Sequence, residues 1–585
     1  MQRLDLNGQW DFVADLDPKY HLDPRIYPHP EYARPDTNRR HWLKVMVPGV
    51  WQKYAERYDI YEGVCWFARA FELPALAPRA LARLRFGAVN YACRVFLNGI
   101  ELGGHEGGYT EFTLDARRAL QPGENLLAVM VDNRATTTKW PPCLGYFNYG
   151  GIHRDVTLEW SETPCLDDLA LTAEPAAGGG TLRVAGRVLL AEPGLQVRVA
   201  CAGAEGAWAV TEEGAFSGEL AVAGVKPWSP DAPQLYPVKI TLLRGAERLD
   251  ERAFQCGFRR LALREGYIHL NDEEIRLKGI CYVYDSPVHG LVMAPEQVEA
   301  DVRLMKELGC NAVRCHYPQH ERFYAACDRA GLLVWIEPPV YCLHPRDDER
   351  GTPFANPAWL ALAEGMLSEM VRTARNHPSV AIYSLGNECN THNPEAEPFF
   401  RRLAARLRAE DPTRLISYAA LYGLVGPLAE LVDVLGINSY WGWYDKVLGG
   451  KGLKPADEAQ AARDVPVEPI NLAPMRQMLD QVLARKPDLA LLLTEFGADS
   501  VAGFYSRSRD LWSEDYHAAL LKEIFALVRE YPQIVGTFPF CFSDYRDPSK
   551  VHNGYWNELN LKGVVTYDRR KKLAFAAVQE AYRPT

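Results

Sequence analysis

The sequence predicts a multidomain protein in which two β-sandwiches precede a C-terminal TIM (β/α)8 barrel. Three observations along the 585 residues support this fold class. Short, regularly spaced strand segments fill residues 1–165, strand-like alternation continues through 166–262, and apolar runs alternate with helical segments through 263–585. Regularly spaced strands without helical periods are typical of sandwiches, whereas repeated alternation of strand and helix is typical of a barrel.

The first sandwich is predicted from short strand segments that end at turn residues. These segments and turn signals are Ala82–Phe86, Arg94–Leu97, Leu126–Val131, Asn98-Gly99 and Asp132-Asn133. Asn, Asp and Gly are frequent in tight hairpin turns because they tolerate positive φ angles. In the second region, apolar and polar residues alternate over Gln196–Ala200 and Val238–Leu242. The length of this region fits an immunoglobulin-like sandwich.

Eight apolar runs, most of them separated by segments of helical period, predict the barrel. The strand candidates are Arg276–Ile280, Ala312–Arg314, Leu332–Ile336, Val380–Ser384, Leu415–Tyr418, Val432–Ile437, Leu491–Thr494 and Ile534–Phe538. Helical segments include Glu296–Leu308, Trp359–Ala374 and Tyr516–Glu530. The alternative is an open doubly wound sheet, which is disfavoured because neither a GxGxxG nor a P-loop motif follows the first strand.

The composition is that of a globular protein with a formal net charge of −10. A nucleic-acid-binding surface needs clustered Lys and Arg, so this charge argues against such a partner. The chain has no window of about 18 apolar residues that would predict a membrane span. Its first residues lack the apolar stretch of a cleaved signal peptide. We therefore expect a cytoplasmic protein that binds neither nucleic acid nor membrane.

The 13 cysteines form no CxxC pair. Cys310, Cys315 and the neighbouring His316 are close in sequence, but zinc sites normally show tighter, paired spacing. Buried free thiols in a reducing cytoplasm are the preferred interpretation. We expect no bound metal and no cofactor.

Acidic residues follow several of the predicted barrel strands, where the chemistry of a TIM barrel is found. Glu388 follows strand four, Glu495 strand seven and Glu337 strand three, and strand eight runs on to Asp544. Two carboxyls about 5 Å apart suit retaining glycoside hydrolysis, and a wider gap suits inversion. The spacing in sequence leaves both mechanisms open. It also leaves open a structural role, in which such an acid pairs with an arginine.

Two long motifs resemble those of glycoside hydrolase family 2. The segment Arg375–Glu388 resembles the acid/base signature of that family, with Tyr383 in place of its usual Trp. Asn90–Gly99, followed by His105–Tyr109 and Phe112, resembles the signature of its sugar-binding domain. The order of jelly-roll sandwich, immunoglobulin-like domain and TIM barrel is also similar and covers the whole chain.

This resemblance implies a retaining exo-glycosidase that works by double displacement. Glu388 would be the general acid/base and Glu495 the nucleophile. Asn387 would bind the sugar 2-hydroxyl, a contact that strengthens in an oxocarbenium-like transition state.

Within the family, three segments resemble the β-glucuronidases: Ile437–Tyr444, Thr494–Gly503 and Asn560–Thr566. The last contains the Asn560-x-Lys562 pattern by which that group recognises a sugar carboxylate, and an amide with an ammonium suits an anion. The resemblance further implies that the substrate contacts four aromatic side chains, Tyr440, Trp443, Tyr444 and Phe540. We therefore expect a small-molecule or oligosaccharide substrate with a terminal β-D-hexuronide.

Other positions depart from the glucuronidase pattern. Gly145 stands where an acidic residue is usual, and Val283-Tyr284-Asp285 stands where His-Glu-Asp is usual. Both positions are expected to face sugar hydroxyls away from the carboxylate. A rebuilt hydroxyl end would accommodate the C4 epimer, so β-glucuronides and β-galacturonides both stay open as substrates.

Two other functions are compatible with parts of the pattern. A β-galactosidase or β-mannosidase of the same family would act on neutral sugars, which do not require Asn560-x-Lys562. A non-catalytic carbohydrate-binding protein would need a decayed site, whereas Glu388, Glu495 and their flanking residues are intact. The two β domains would be structural or would help to build a homo-oligomer, and one of them could lend a loop to the site.

Overall fold

The computed structural model describes residues 1–15, 29–134, 139, 145–423, 426–447, 470–553 and 558–583, without the side chains of 551–553. Antiparallel sheets make up the N-terminal half, and a nine-stranded sheet of parallel pairs makes up the C-terminal half. Among the described residues, no helix is both long enough and apolar enough to cross a bilayer.

In the N-terminal region, a six-stranded and a four-stranded antiparallel sheet share one hydrophobic core. In spatial order their strands are Leu43–Val47, Gly8–Asp15, Val64–Leu73, Gly123–Asp132, Ala92–Leu97 and Ile100–Glu106, then Gln2–Asp5, Val156–Ser161, Leu81–Phe86 and Phe112–Asp115. Alternate side chains of Leu81–Phe86 point into the core, as the period of two requires. Phe86 stacks on Phe112 there, with ring centroids 5.1 Å apart. A short pair, Val89–Asn90 with Gly151–Ile152, lies beside this sandwich.

A second sandwich follows, with a three-stranded and a four-stranded antiparallel sheet. The strands in spatial order are Cys165–Ala176, Gly179–Leu189 and Ala215–Ala223, then Ala204–Ala209, Leu195–Cys201, Tyr236–Arg244 and Glu247–Cys256. Strand Leu195–Cys201 alternates buried and exposed side chains, so that one face meets the other sheet. A small sheet of Leu261–Arg264, Tyr267–Leu270 and Glu273–Glu274 leads into the barrel.

The barrel closes because its first strand is divided into two short pieces. Leu277–Lys278 pairs with the last strand and Cys281–Tyr282 pairs with the second, both in parallel. A Cβ on Gly279, between the two pieces, would lie 2.2 Å from the ring of Phe538. The expected continuous strand over Arg276–Ile280 is therefore interrupted where Phe538 packs against the backbone. The other strands, in order around the barrel, are Ala312–Cys315, Leu333–Ile336, Val380–Asn387, Leu415–Leu421, Val434–Asn438, Ala490–Glu495 and Ile534–Thr537.

Helices pack around the barrel through amphipathic faces. They are Pro295–Glu307, Glu321–Ala330, Pro357–Ala374, Ala396–Glu410, Tyr444–Val447, Ala473–Arg485, Glu514–Val528 and Leu573–Tyr582. Helix Glu514–Val528 begins where the Ser513 hydroxyl accepts a hydrogen bond from Tyr516 N at 3.1 Å. Short 3-10 turns occur at Pro30–Ala33, Trp51–Lys53, Glu56–Tyr58, Pro353–Ala355, Gly426–Glu430 and Pro548–Asn553, and a two-stranded ribbon pairs Tyr545–Arg546 with Leu559–Asn560.

The first sandwich reaches the mouth of the barrel through residues 145–154. The Tyr149 hydroxyl donates to Asp285 Oδ1 of the barrel at 2.9 Å. The Arg154 guanidinium donates to Pro318 O at 2.6 Å. Because these contacts are buried, the sandwich loop is held as one wall beside the C-terminal ends of the barrel strands.

Candidate active site

Three carboxylates lie at the C-terminal ends of barrel strands. Glu337 follows the third strand, Glu388 follows the fourth, and Glu495 is the last residue of the seventh. Parallel strands in a barrel present their C-terminal ends at one mouth, so these side chains share one site. This is the arrangement that the sequence predicted for Glu388 and Glu495.

One buried arginine, Arg314, connects two of these carboxylates. Arg314, on the second strand, donates from Nε to Glu337 Oε1 at 2.6 Å and from Nη1 to Glu495 Oε1 at 2.8 Å. Its Nη2 donates to Asn387 Oδ1 at 2.7 Å. Burying a guanidinium group destabilises the fold unless its N–H groups form hydrogen bonds. Here Arg314 is buried, and two carboxylates and an amide oxygen accept hydrogen bonds from it. Although burial alone would raise it, the Arg314 charge keeps the pKa of Glu337 below its usual value.

Glu495 is surrounded by donors. Besides the Arg314 contact, its Oε2 accepts a hydrogen bond from the Tyr440 hydroxyl at 2.7 Å. The Nε2 atom of His316 lies 3.6 Å from Oε1. A cation and a phenol that donate to both oxygens suit the ionised form of a carboxylate. That is the form required of a nucleophile.

Glu388 has a different environment. Its Oε1 accepts a hydrogen bond from Asn438 Nδ2 at 2.7 Å, and Cys342 Sγ lies 3.8 Å from Oε2. Burial, followed by the negative charge of Glu495, raises the pKa of Glu388 to about 8. The Glu388 carboxyl is therefore protonated near neutral pH, as a general acid requires.

Asn387 links the hydrogen-bond networks of the two carboxyl groups, and its amide nitrogen has no hydrogen-bond acceptor among the described residues. Its Oδ1 accepts from Arg314 and also from Asn438 Nδ2, the latter at 3.0 Å. Its Nδ2 is buried and has no hydrogen-bond partner among the described residues. An unpaired buried amide donor is destabilising, so this N–H group is suited to bind a ligand hydroxyl.

Lys562 lies buried on another side of the site, against two of the predicted aromatic residues. Its Nζ lies 4.9 Å from the ring centroid of Tyr444 and 5.7 Å from that of Tyr440. It also donates to Asp499 Oδ2 at 2.5 Å. Although burial opposes ionisation, the Lys562 ammonium holds the pKa of Asp499 well below its usual value. Lys562 is thus a paired ammonium, with further N–H donors beyond the one that Asp499 accepts.

Asn560 supports this region differently from the sequence-based expectation. Its Nδ2 donates to the Tyr545 hydroxyl at 3.1 Å and to Asp547 Oδ2 at 3.3 Å. Its Oδ1 accepts from the backbone N of Lys562 at 3.2 Å. Because both amide hydrogens are engaged, the contacts of Asn560 position the Lys562 segment.

The aromatic residues predicted to contact the substrate occupy two kinds of position. Phe540 lies beside the site, with its ring centroid 5.7 Å from that of His316 and 6.4 Å from that of Tyr440. Trp443 has no exposed surface and packs edge-on against Trp512 at 5.0 Å. The structure therefore gives Trp443 a packing role in the core, because its ring offers no face to a ligand.

At the hydroxyl end of the expected site, Asp285 is already engaged. Its Oδ1 accepts from Tyr149 at 2.9 Å and from the Tyr567 hydroxyl at 3.0 Å. Its Oδ2 accepts from the backbone N of Arg546 at 2.9 Å. Burial raises the pKa of Asp285. These bonds make Asp285 a link between the sandwich and the barrel.

Several site residues were not singled out from the sequence. Arg314 and Asn438 connect the acids, and Asp499 pairs with Lys562. Lys550 places a second ammonium 3.4 Å from the Tyr444 hydroxyl. Asn438 is the last residue of its strand, as Asn387 is of its own, and this position at a strand end could have identified Asn438 as a site residue. The partners of Asp499 and Lys550 are distant in sequence, so no local pattern identified these two residues.

The described part of the chain contains no group of three or more His, Cys, Asp or Glu side chains that could hold a metal ion. The twelve cysteines in that part form no disulfide bond with one another. His316 lies within the acid site, and Cys315 belongs to the hydrophobic core of the barrel wall.

Comparison with protein families gives three matches that together span nearly the whole chain. Residues 261–585 match the TIM barrel domain of glycosyl hydrolases family 2. Residues 4–162 match the sugar binding domain of that family, and residues 179–259 match a further family 2 domain.

Two curated relatives match over almost their full length. The chain is 28% identical to a β-glucuronidase of Paenibacillus borealis, over 97% of this chain and 95% of the relative. It is 26% identical to the β-glucuronidase of Canis lupus familiaris, over 99% of this chain and 90% of the relative.

Solved structures show the same architecture. A β-galacturonidase from Eisenbergiella tayi bound to galacturonate is 25% identical, with a TM-score of 0.81 over 100% of this chain and 97% of that chain. A β-D-glucuronidase from Dictyoglomus thermophilum shares the fold, with 23% identity and a TM-score of 0.84 over 99% of this chain and 97% of that chain.

Proposed function

Because the chain belongs to glycosyl hydrolases family 2, we propose that it is a retaining exo-glycosidase that removes terminal β-D-hexuronides. The observation that carries the mechanism is the contrast between the two catalytic carboxyls. Glu495 accepts hydrogen bonds from Arg314 and Tyr440, whereas burial and the neighbouring charge favour the protonated form of Glu388. Divergent environments of this kind separate the acid from the nucleophile in glycosidases.

In the first step, Glu495 attacks the anomeric carbon while Glu388 protonates the departing glycosidic oxygen. The bond from sugar to aglycone breaks, and an ester bond between the sugar and Glu495 forms. In the second step, Glu388 takes a proton from water, and this water attacks the anomeric carbon and releases Glu495. The free Asn387 amide would donate to the sugar 2-hydroxyl as positive charge develops on the ring.

The pH dependence follows from the pKa of Glu388, which is raised to about 8. Only protonated Glu388 can act as the acid, so kcat/KM on an alkyl uronide, whose departing oxygen requires a proton, should fall by about tenfold per pH unit above about pH 8. The dependence of kcat/KM on pH, which reports the free enzyme, measures this fall. A profile that is flat up to pH 10 would contradict the role of Glu388.

The uronide specificity rests on the cationic side of the site. Lys562 is buried beside Tyr440 and Tyr444, and Lys550 approaches the Tyr444 hydroxyl. A buried ammonium such as that of Lys562 favours a carboxylate over a neutral hydroxymethyl group. The relatives include proteins described as β-glucuronidases and a β-galacturonidase, which supports a hexuronide of either C4 configuration.

A substrate panel tests this specificity. We expect kcat/KM on nitrophenyl β-D-galacturonide or β-D-glucuronide to exceed that on the matching neutral glycoside by about 100-fold, the order of a hydrogen bond to a charged group. Equal activity on β-galactoside would indicate a neutral-sugar glycosidase. Binding without turnover of any glycoside would indicate a carbohydrate-binding protein.

A further inference from the structure

Tyr341 brings a phenol hydroxyl to the wall between the acids and the first sandwich. It follows the third barrel strand, and its backbone bridges to Asn387, the residue before Glu388. Its ring centroid lies 6.2 Å from that of His316 and 6.0 Å from that of Tyr146. The side chain therefore spans from the catalytic strands to the sandwich loop.

The Tyr341 hydroxyl occupies the space that a side chain at position 145 would need. A Cβ built on Gly145 would lie 2.4 Å from the Tyr341 hydroxyl oxygen and 3.4 Å from Cζ. Position 145 is where the resemblance to glucuronidases leads to the expectation of an acidic residue. The absence of a side chain at position 145 therefore leaves room for the Tyr341 hydroxyl.

This hydroxyl is available for a ligand. No described residue forms a hydrogen bond with it, whereas nearby Asp285 is engaged with Tyr149, Tyr567 and a backbone N–H. Burial, followed by the proximity of Cys342 and then Glu388, raises the pKa of Tyr341 well above its usual value. A neutral phenol both donates and accepts, which suits recognition of a sugar hydroxyl.

We propose that Tyr341 is a specificity-determining residue whose hydroxyl binds a ring hydroxyl of the sugar, in the space left by the absent side chain at position 145. This inference rests on the proposed hexuronidase function. It assigns the recognition of a ring hydroxyl to a barrel tyrosine, and it requires Gly145 to leave that hydroxyl undisplaced.

Four proteins test the proposal: wild type, Tyr341→Phe, Gly145→Ala and the double variant. In Tyr341→Phe, kcat/KM on the preferred uronide should fall about five- to tenfold, the loss expected for one neutral hydrogen bond. The inhibition constant of the free uronic acid, which has no aglycone, should rise by the same factor. Gly145→Ala should cause a similar loss, because its Cβ displaces the hydroxyl, yet should change activity less than twofold in the Tyr341→Phe background.

Three results would overturn the proposal. The first is Tyr341→Phe activity and inhibition within twofold of wild type. The second is a fall in kcat/KM without a change in the inhibition constant, which would place the hydroxyl on the aglycone side. The third is an equal effect of Gly145→Ala in both backgrounds. Failure of the hexuronidase function itself would appear separately, as a wild-type enzyme that cleaves no uronide.

Discussion

Replacing Glu495 with glutamine should lower kcat on a uronide substrate by at least about 10⁴-fold, a loss of the size seen when a catalytic nucleophile is removed. The amide keeps the size of the side chain but cannot form the glycosyl ester. Arg314 would also lose one of its two carboxylate partners. Activity measured with a nitrophenyl uronide, together with a thermal melt of the variant, separates lost chemistry from lost folding.

The same role predicts a covalent adduct. A 2-deoxy-2-fluoro uronosyl fluoride should lose fluoride and add its sugar to Glu495, seen by mass spectrometry as a heavier peptide containing that residue. Glu388→Gln serves as the matched control, because it removes the acid and leaves the nucleophile able to react with a good leaving group. An adduct on another residue, or a first product of inverted anomeric configuration, would refute the double displacement.

Removing the Lys562 charge should lower kcat/KM on uronides by about 100-fold without lowering activity on the matching neutral glycoside. Lys562→Met by itself would leave Asp499 buried and without its cation, and an unpaired buried carboxylate destabilises a fold. The informative variant is therefore Lys562→Met combined with Asp499→Asn, which removes both charges together.

Asp499→Asn alone is the control for this pair, because it keeps the ammonium and removes only its protein partner. We expect this variant to retain uronide activity within tenfold of wild type, since Lys562 can still bind the substrate carboxylate. Measuring kcat/KM on the uronide and on the matching neutral glycoside checks both the single and the double variant. Parallel losses on uronide and neutral substrates in the double variant would show that Lys562 supports the fold and does not select the carboxylate.

The sequence predicted the architecture well where the signal was local. The predicted segments Gln196–Ala200 and Val380–Ser384 lie inside the observed strands Leu195–Cys201 and Val380–Asn387, and each pattern reflects burial within one strand. The first barrel strand was less well predicted, since it is divided at Gly279 by the packing of Phe538. Phe538 follows the last barrel strand, which pairs with the first strand in space but lies far from it in sequence. A pattern confined to one strand therefore cannot predict this contact.

The family resemblance, the order of strands and helices, and the placement of Glu388 and Glu495 at strand ends could all be predicted from the amino-acid sequence. These features depend on residues close together in the chain, where periodicity and motif spacing are visible. The side-chain partners of these residues became visible only in the folded chain. Arg314 contacts Glu495 across 181 positions of sequence, and Lys562 contacts Asp499 across 63. In the folded chain Trp443 is buried in the core, and the amide of Asn560 is hydrogen-bonded to Tyr545. Tyr341 packs against Gly145. Such pairings follow from burial, because a charge or polar group removed from water must find its partner wherever the fold brings one.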